Sequence, residues 1–196
     1  MAILSGPEIV RQIQLGRITI TPFHEDQLNP NSYNLTLGRD LLVYRAPPRW
    51  RRARLAMRGT PWCLDMKQDN PHERLEIPPG GLVLRPGRLY LGSTAEYTET
   101  KDFVPMIEGR SSVGRLGLYV HVTAGFGETF FRGEWTLELS VIHPLRVYAG
   151  TKICQILYSD VVGEVVPYAG KYQGQRGPQS SRLWRELQPY HAATTP

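Results

Sequence analysis

The stretch TAGFGETFFRGEWTLELS (residues 123–140) contains the clearest strand pattern of the chain. Trp135, Leu137 and Leu139 alternate with polar residues, which is the period of a strand with one buried and one solvated face. Glu138 falls on the polar face. A solvated carboxylate is the ordinary explanation, because glutamates in strands usually face water. A carboxylate placed there for chemistry is the alternative, and the rest of the sequence has to decide between them.

Strand patterns of similar length recur along the chain, with turn signals such as Pro78-Pro79-Gly80-Gly81 and Pro86-Gly87 between them. They cover residues 17–21, 32–37, 40–44, 77–94 and 103–167. Short strands separated by turns every eight to twelve residues or so are typical of a sandwich or jelly roll. The sequence therefore predicts a mainly β protein, which we treat as a single domain over residues 1–196.

One helix is expected, near the start of the chain, in LSGPEIVRQIQLGRI (residues 4–18). Ser5 can cap it, Glu8 three residues later completes a capping box, and Gly16 suits its C-terminal end. No second helix of comparable length stands out. Residues 45–76 hold proline, arginine and few periodic apolar side chains, so they are predicted to form a long irregular excursion with room for one short strand.

The chain has 196 residues and a formal net charge of +5. This length allows one domain with its own core. The positive charge suits an anionic partner, either nucleic acid or a small phosphorylated ligand, and does not choose between them. Much of the excess comes from four arginines within residues 49–54. A solvated basic loop over residues 45–58 is the simplest explanation of that run.

The two cysteines, Cys63 and Cys154, form no CxxC pair and no spacing typical of a zinc site. Cys154 lies in an apolar, strand-like run, so a buried thiol is expected. No signal peptide and no apolar stretch of membrane length is visible. We therefore expect a cytoplasmic protein, or one in the host cytoplasm if the source is viral, with no membrane partner.

Two further stretches are unusually polar. GRSSVGRLGL (residues 109–118) combines hydroxyls, glycines and arginines, as in a cradle for phosphate oxygens. GKYQGQRGPQSSR (residues 170–182) has the composition of a flexible arm that folds over a nucleotide. Taken alone, a serine-rich turn with solvated arginines and a disordered basic tail explain the two stretches equally well.

Seven motifs, taken together and in order, resemble the dCTP deaminase family, which belongs to the trimeric dUTPase superfamily. They are LSGPEI, NPNSYNLTLG, EGRSSVGRLGL, HVTAGF, GEWTLEL, GTKICQIL and KYQGQRGPQSSR. The resemblance covers nearly the whole chain, and residues 45–76 are the least similar part.

This resemblance implies a distorted β-barrel or jelly roll of the dUTPase-like type, with a short N-terminal helix and a mobile C-terminal lid arm over about residues 168–196. It implies a homotrimer with active sites between subunits. The implied reaction is zinc-independent hydrolytic deamination of dCTP to dUTP and ammonia, which supplies dUTP and dUMP for thymidylate synthesis. Mg²⁺ enters bound to the triphosphate, and dTTP inhibits many members.

The resemblance also assigns roles to residues. Glu138 matches the catalytic glutamate, the general base for the attacking water. Arg115 matches the arginine that holds this carboxylate, and Ser111 with the backbone carbonyl of Ala124 matches the groups that position the water. The implied nucleotide-binding residues are Arg110, Ser111, Ser112, Arg115, Glu128, Thr136, Leu137, Glu138, Gln155, Tyr168, Lys171 and Gln175.

The sequence departs from the family pattern just before the strand of Glu138. Glu128 stands where an aspartate is usual, and Thr129 and Phe130 replace a Pro-Gly turn. In contrast, Gly125-Phe126 resembles the bifunctional members, which deaminate dCTP and then hydrolyse dUTP to dUMP and diphosphate. A bifunctional deaminase/diphosphatase is therefore an alternative, and so is a non-catalytic nucleotide-binding regulator.

Two other classes are less well supported. A pure dUTP diphosphatase has no use for the pair of Glu138 and Arg115. A specific nucleic-acid-binding module would rest on charge alone, because no recognition helix or RNP-type motif is present. Whether the substrate base is cytosine or a modified cytosine stays open.

Overall fold

The computed structural model describes residues 2–121 and 123–187, and most of its regular structure is β-strand. The strands are β1 (Ile18–Thr21), β2 (Tyr33–Thr36), β3 (Asp40–Tyr44), β4 (His72–Glu76), β5 (Leu82–Leu84), β6 (Tyr90–Ser93), β7 (Tyr97–Thr100), β8 (Phe103–Gly109), β9 (Leu118–Tyr119), β10 (Arg132–Gly133), β11 (Thr136–Val141), β12 (Leu145–Val147) and β13 (Lys152–Asp160). The mainly β class predicted from the turn spacing is thereby confirmed.

The strands form four small sheets, with the orders β1-β7-β10, β4-β3-β6-β11-β9, β12-β5 and β2-β13-β8. Strand β11 lies between β6 and β9 and is antiparallel to both. Strand β13, the longest, lies between β2 and β8 and is antiparallel to both. Strand β11 carries Glu138, and strand β13 carries Gln155.

The alternation predicted for β11 is confirmed. Leu137, Leu139 and Val141 are buried, whereas the residues between them are only half-buried. The apolar residues of β11 join one cluster of buried side chains that also includes residues of β2, β8 and β13. One face of β11 thus packs on the core and the other, with Glu138, is left for polar contacts.

Helix α1 (Gly6–Gln14) begins at the predicted cap, where Ser5 Oγ accepts a hydrogen bond from the Glu8 backbone N–H at 3.3 Å. The Glu8 carboxylate accepts hydrogen bonds from Arg11 and Gln12. These bonds, chiefly those from Arg11, lower the pKa of Glu8 to about 2. The helix is therefore held at its first turn by a side-chain cap and by a local charge pair.

The chain divides into two compact units. The first consists of Met1–Val43 and Arg74–Gln179 and holds the buried apolar cluster. The second consists of Tyr44–Glu73 and Ser180–Pro196, of which residues 188–196 lie outside the described residues. The single domain over residues 1–196 stays a prediction. The mobile C-terminal tail that the sequence predicts includes residues 188–196, which lie outside the described residues.

The irregular excursion predicted for residues 45–76 is wrong in one respect, because it contains helix α2 (Arg49–Met57), nine residues long like α1. The expected basic loop is therefore largely helical. No residue of α2 is buried, and its sequence correspondingly lacks the apolar stripe by which a packed helix can be predicted. Its arginines, alanines and leucine favour a helix by intrinsic propensity alone. The one short strand allowed for in this region is β4.

Three shorter helical turns complete the described elements. They are α3 (Ser111–Gly114), a 3₁₀ turn at Glu25–Gln27 and a 3₁₀ turn at Leu183–Arg185. Within residues 2–121 and 123–187, every helix is too short or too polar to cross a lipid bilayer.

The two cysteines lie in different surroundings. Cys63 is exposed, whereas Cys154 is completely buried in β13, as the sequence predicts. Burial raises the pKa of the Cys154 thiol, because a thiolate is poorly solvated in an apolar interior. Only the thiolate is nucleophilic, so Cys154 is expected to be inert in the folded protein.

We therefore expect an aromatic disulfide reagent at pH 8 to titrate one thiol rapidly in the native protein and both thiols in guanidinium chloride. In the variant Cys63→Ser, the rapid native reaction should disappear. Rapid reaction of two thiols in the native wild-type protein would contradict the burial of Cys154.

Candidate active site

Glu138 is held by backbone contacts on both sides of β11. It is in register with Leu91 of β6 on one side, and its backbone N–H donates to the Val120 carbonyl at 2.8 Å on the other. Its side chain is half-buried. A strand with neighbours on both sides moves little, so the backbone from which this carboxylate extends is fixed by the sheet.

The serine-rich segment forms α3, the turn between β8 and β9. Ser111 and Ser112 are exposed, and Val113 anchors the turn in the core. Arg115 ends the turn, with its backbone N–H donating to the Ser111 carbonyl at 3.0 Å and its side chain exposed. The next strand, β9, pairs with β11. The hydroxyls and the guanidinium are thus attached, through β9, to the strand that carries Glu138, and they can bind an anion.

Two other predicted nucleotide contacts have structural partners. The Arg110 guanidinium donates to the Lys152 carbonyl at 2.8 Å. The Gln155 side chain donates to the Gly109 carbonyl at 3.1 Å and accepts from the Ser32 hydroxyl at 2.7 Å. These bonds fix the end of β8 just before α3. A guanidinium has five N–H donors, so Arg110 retains capacity for a phosphate, whereas Gln155 acts mainly on the position of Gly109.

Ala124 lies in a peptide, residues 123–127, that runs along β8. Gly127 donates its backbone N–H to the Pro105 carbonyl at 2.8 Å. A Cβ on Gly127 would lie 2.4 Å from the Trp135 ring, so only glycine fits there. Ala124 itself is exposed, and its backbone carbonyl is therefore presented on a peptide that is fixed at one end by β8.

Glu128 begins a tight turn, residues 128–131, that returns the chain toward β10. The Phe131 backbone N–H donates to the Glu128 carbonyl at 3.2 Å, and the Glu128 side chain is exposed. Phe130 has a φ of +62°. Among the described residues no other non-glycine has a positive φ. This is the place where the family pattern has glycine, which adopts that conformation without the strain that a Cβ brings.

The C-terminal arm, which we define as residues 168–179, lies alongside β10. The Tyr168 backbone N–H donates to the Thr129 carbonyl at 3.0 Å. The Gln175 carbonyl accepts from the Glu134 backbone N–H at 3.0 Å, and the Gln175 side chain donates to the Glu134 carbonyl at 2.7 Å. The arm therefore docks much as an added strand does, through backbone bonds, with the buried Gln175 at its centre.

Gln173 is a contact that the sequence analysis did not identify. Its side-chain amide donates to the Phe130 carbonyl at 2.7 Å and to the Tyr168 carbonyl at 3.1 Å. Its side-chain oxygen accepts from the Arg132 backbone N–H at 2.9 Å. No sequence signal marks Gln173, because its partners are backbone carbonyls and a backbone N–H and residues 171–174 form a turn without a strand or helix period.

The predicted residues thus fall into two groups attached to opposite ends of β11. The α3 turn and Glu138 belong to the half beside β9. The arm belongs to the beginning of β11, where Gln179 donates its backbone N–H to the Thr136 hydroxyl at 3.1 Å. Lys171 is half-buried, with its ammonium 5.4 Å from the centre of the Tyr172 ring.

The side chain of Leu137 is buried in the core and does not face a ligand. Within residues 2–121 and 123–187, no three or more His, Cys, Asp or Glu side chains lie together so that they could hold a metal ion.

A family model described as dCTP deaminase-like matches residues 3–161 of the chain. The chain is 52% identical over 187 residues to a Leptospira biflexa protein named "dCTP deaminase, dUMP-forming", covering 95% of this chain and 98% of that one. A protein of the same name from Clostridium acetobutylicum is 50% identical, over 94% of this chain and 98% of that one.

The chain is also similar in structure to a solved protein, the 2'-deoxycytidine 5'-triphosphate deaminase from Agrobacterium tumefaciens, with a TM-score of 0.58. The sequence identity is 22%, and the match covers 80% of this chain and 47% of that chain, so this chain spans about half its length. This likeness concerns the fold, and it confirms the fold class expected from the sequence.

The docking of the arm predicts the effect of one substitution. Gly133 has a φ of +150°, and a Cβ there would lie 2.9 Å from the Gln175 carbonyl oxygen. Gly133→Ala should therefore displace the arm and speed tryptic cleavage after Lys171 and Arg176 severalfold. Gly80→Ala is the matched control, because nothing lies within 4 Å of a Cβ at that position. An unchanged cleavage rate in Gly133→Ala would show that the arm does not depend on this close approach.

Proposed function

The chain belongs to the dCTP deaminase-like family, and we propose that it converts dCTP to dUMP in two hydrolytic steps. In the first, dCTP and water give dUTP and ammonia. In the second, dUTP and water give dUMP and diphosphate. The observation that carries the proposal is the 52% identity, over nearly the full length of both chains, to a relative named dUMP-forming.

Glu138 is the proposed general base of the first step. It takes a proton from a water whose oxygen then bonds to C4 of the cytosine ring. Glu138 passes this proton to N3. The hydroxyl now on C4 then gives its proton, by way of Glu138, to the amino group, and the C4–N bond breaks as C4=O forms and ammonia leaves. Arg115 is proposed to hold the carboxylate, while Ser111 and the Ala124 carbonyl hold the water. The fixed position of Glu138 on β11 supports this role, because general bases act only from a defined geometry.

The proposed base contact is the backbone of β11. Neighbouring residues of a strand direct their N–H and C=O groups to opposite sides. Since the Glu138 N–H points to Val120, the backbone groups of Thr136 point to that same side, whereas those of Leu137 point toward β6. Thr136 therefore supplies the backbone edge best placed for a cytosine, and Leu137 contributes by keeping the strand in register.

The triphosphate is proposed to bind Arg110 and the hydroxyls of Ser111 and Ser112. The arm would close over the nucleotide through Tyr168, Lys171 and Gln175, with Gln155 supporting the phosphate side. Mg²⁺ arrives bound to the triphosphate as part of the substrate, and no zinc takes part.

Glu128 is the proposed acidic group of the second step, beside the deoxyribose and the water that attacks the phosphate. The sequence leaves release of dUTP and release of dUMP both open. We adopt dUMP because the relatives of about 50% identity are named for that product and because Gly125-Phe126 resembles the bifunctional members. Glutamate keeps the charge of the usual aspartate but reaches one methylene further.

We further propose a homotrimer with active sites between subunits. Its product dUMP would serve thymidylate synthesis in the cytoplasm, and dTTP would act as an inhibitor. The arrangement of the two groups of predicted residues at opposite ends of β11 supports a site completed by a second subunit, because each group then meets its counterpart from a neighbour.

Product analysis tests the function directly. Purified protein with dCTP, Mg²⁺ and no added zinc should release dUMP, diphosphate and ammonia in equal amounts, and a zinc-selective chelator should not change the rate. Accumulation of dUTP with ammonia would show that the protein deaminates dCTP but does not hydrolyse dUTP. Binding of dCTP without formation of any product would favour the alternative of a non-catalytic nucleotide-binding regulator.

Glu138→Gln tests the assignment of the base. Because the amide cannot accept the proton, ammonia release should fall by about 10²-fold or more, the usual contribution of a general base. Binding of dCTP, measured by calorimetry, should stay within a few-fold of wild type. Glu76→Gln, on the exposed strand β4, is the matched control and should retain activity. Undiminished ammonia release from Glu138→Gln would refute the assignment.

A further inference from the structure

The turn of residues 128–131 is held in a conformation that its own sequence disfavours. Phe130, third in the turn, has a φ of +62°. This is the geometry of a turn that normally requires glycine at the third position. A phenylalanine there stays in place only if its surroundings hold it. Glu128 is the first residue of this turn, so the contacts that hold the turn also determine the position of Glu128.

The arm supplies those contacts. Gln173 donates to the Phe130 carbonyl at 2.7 Å, which fixes the strained residue directly. The Thr129 hydroxyl donates to the Val166 carbonyl at 2.8 Å, and the Thr129 carbonyl accepts from the Tyr168 N–H at 3.0 Å. Both inner residues of the turn are thus bonded to the chain that leads into the arm or to the arm itself.

Gln173 is the side chain that joins the arm to both sides of Phe130. Besides the Phe130 carbonyl, it accepts from the Arg132 N–H at 2.9 Å and donates to the Tyr168 carbonyl at 3.1 Å. Alanine could make none of these bonds, and the Phe130 carbonyl would then lose its hydrogen bond from the docked arm. The bonds of Thr129 to Val166 and Tyr168 would remain, so the loss would fall on Phe130, the strained residue, and on the turn geometry that it sets for Glu128.

We propose that Gln173 is a positioning residue for phosphate cleavage: by clamping the strained turn when the arm docks, it fixes Glu128. This rests on the proposed second step. Glu138 does not depend on the clamp, because β6 and Val120 hold its strand. Loss of Gln173 should therefore harm diphosphate release more than ammonia release.

The test compares Gln173→Ala with wild type by the ratio of diphosphate to ammonia formed from dCTP. A misplacement near 1 Å can slow a positioned reaction by about 10²-fold, so we expect the ratio to fall by about tenfold or more. Gln68→Ala, which removes an exposed glutamine that contacts only Asp65 through its side chain, is the matched control.

Phe130→Gly provides the rescue. Glycine accepts the positive φ without strain, so the turn should need the clamp less. Gln173→Ala made in the Phe130→Gly background should therefore lower the ratio by a smaller factor than it does in wild type. An equal factor in both backgrounds, an unchanged ratio, or an equal loss of both products in Gln173→Ala would each overturn the proposal.

A readout without substrate separates this proposal from the proposed function. Hydrogen exchange of the Phe131 amide reports the turn itself, because that N–H donates to the Glu128 carbonyl. Faster exchange of this amide in Gln173→Ala supports the clamp even if wild-type protein forms no dUMP. Unchanged exchange overturns the clamp whatever the products are.

Discussion

The pairing of β11 on both sides is the constraint on which the site depends. It is in register with β6 over four residues, and on the other side Glu138 bonds to Val120 and the end of the strand pairs with β9. The backbone of Glu138 is therefore held in place, and its side chain extends from a fixed point of the sheet. The α3 turn takes its position from the same pairing, because it leads directly into β9.

The second part of the site is built on a different physical basis. Glu128 lies on a turn with a phenylalanine in a conformation suited to glycine, and the arm that covers this turn is attached by backbone bonds and two glutamine side chains. Deamination would thus depend on sheet geometry, and phosphate cleavage on a docked segment. Loss of the Gln173 contact would then disturb the placement of Glu128 without displacing Glu138.

Much of this could be predicted from the sequence. The alternation around Leu137 and Leu139 predicts β11, and Ser5 with Gly16 predicts α1, because both patterns reflect local geometry. Helix α2 could not be predicted by periodicity, since none of its side chains is buried. Gln173 was missed because its partners are backbone groups of distant residues, which leave no mark in a single sequence. The roles of Glu138 and Glu128 come from the family resemblance.

The left-handed Phe130 also has a consequence for how this sequence can change. Phenylalanine and glycine codons differ at two positions, so relaxing the turn by single nucleotide changes must pass through valine or cysteine. Valine is branched at Cβ, and a positive φ suits it worse than phenylalanine. The route through valine therefore passes an intermediate that suits the turn worse than either end, and of the two equally long routes only the one through cysteine avoids a β-branched residue.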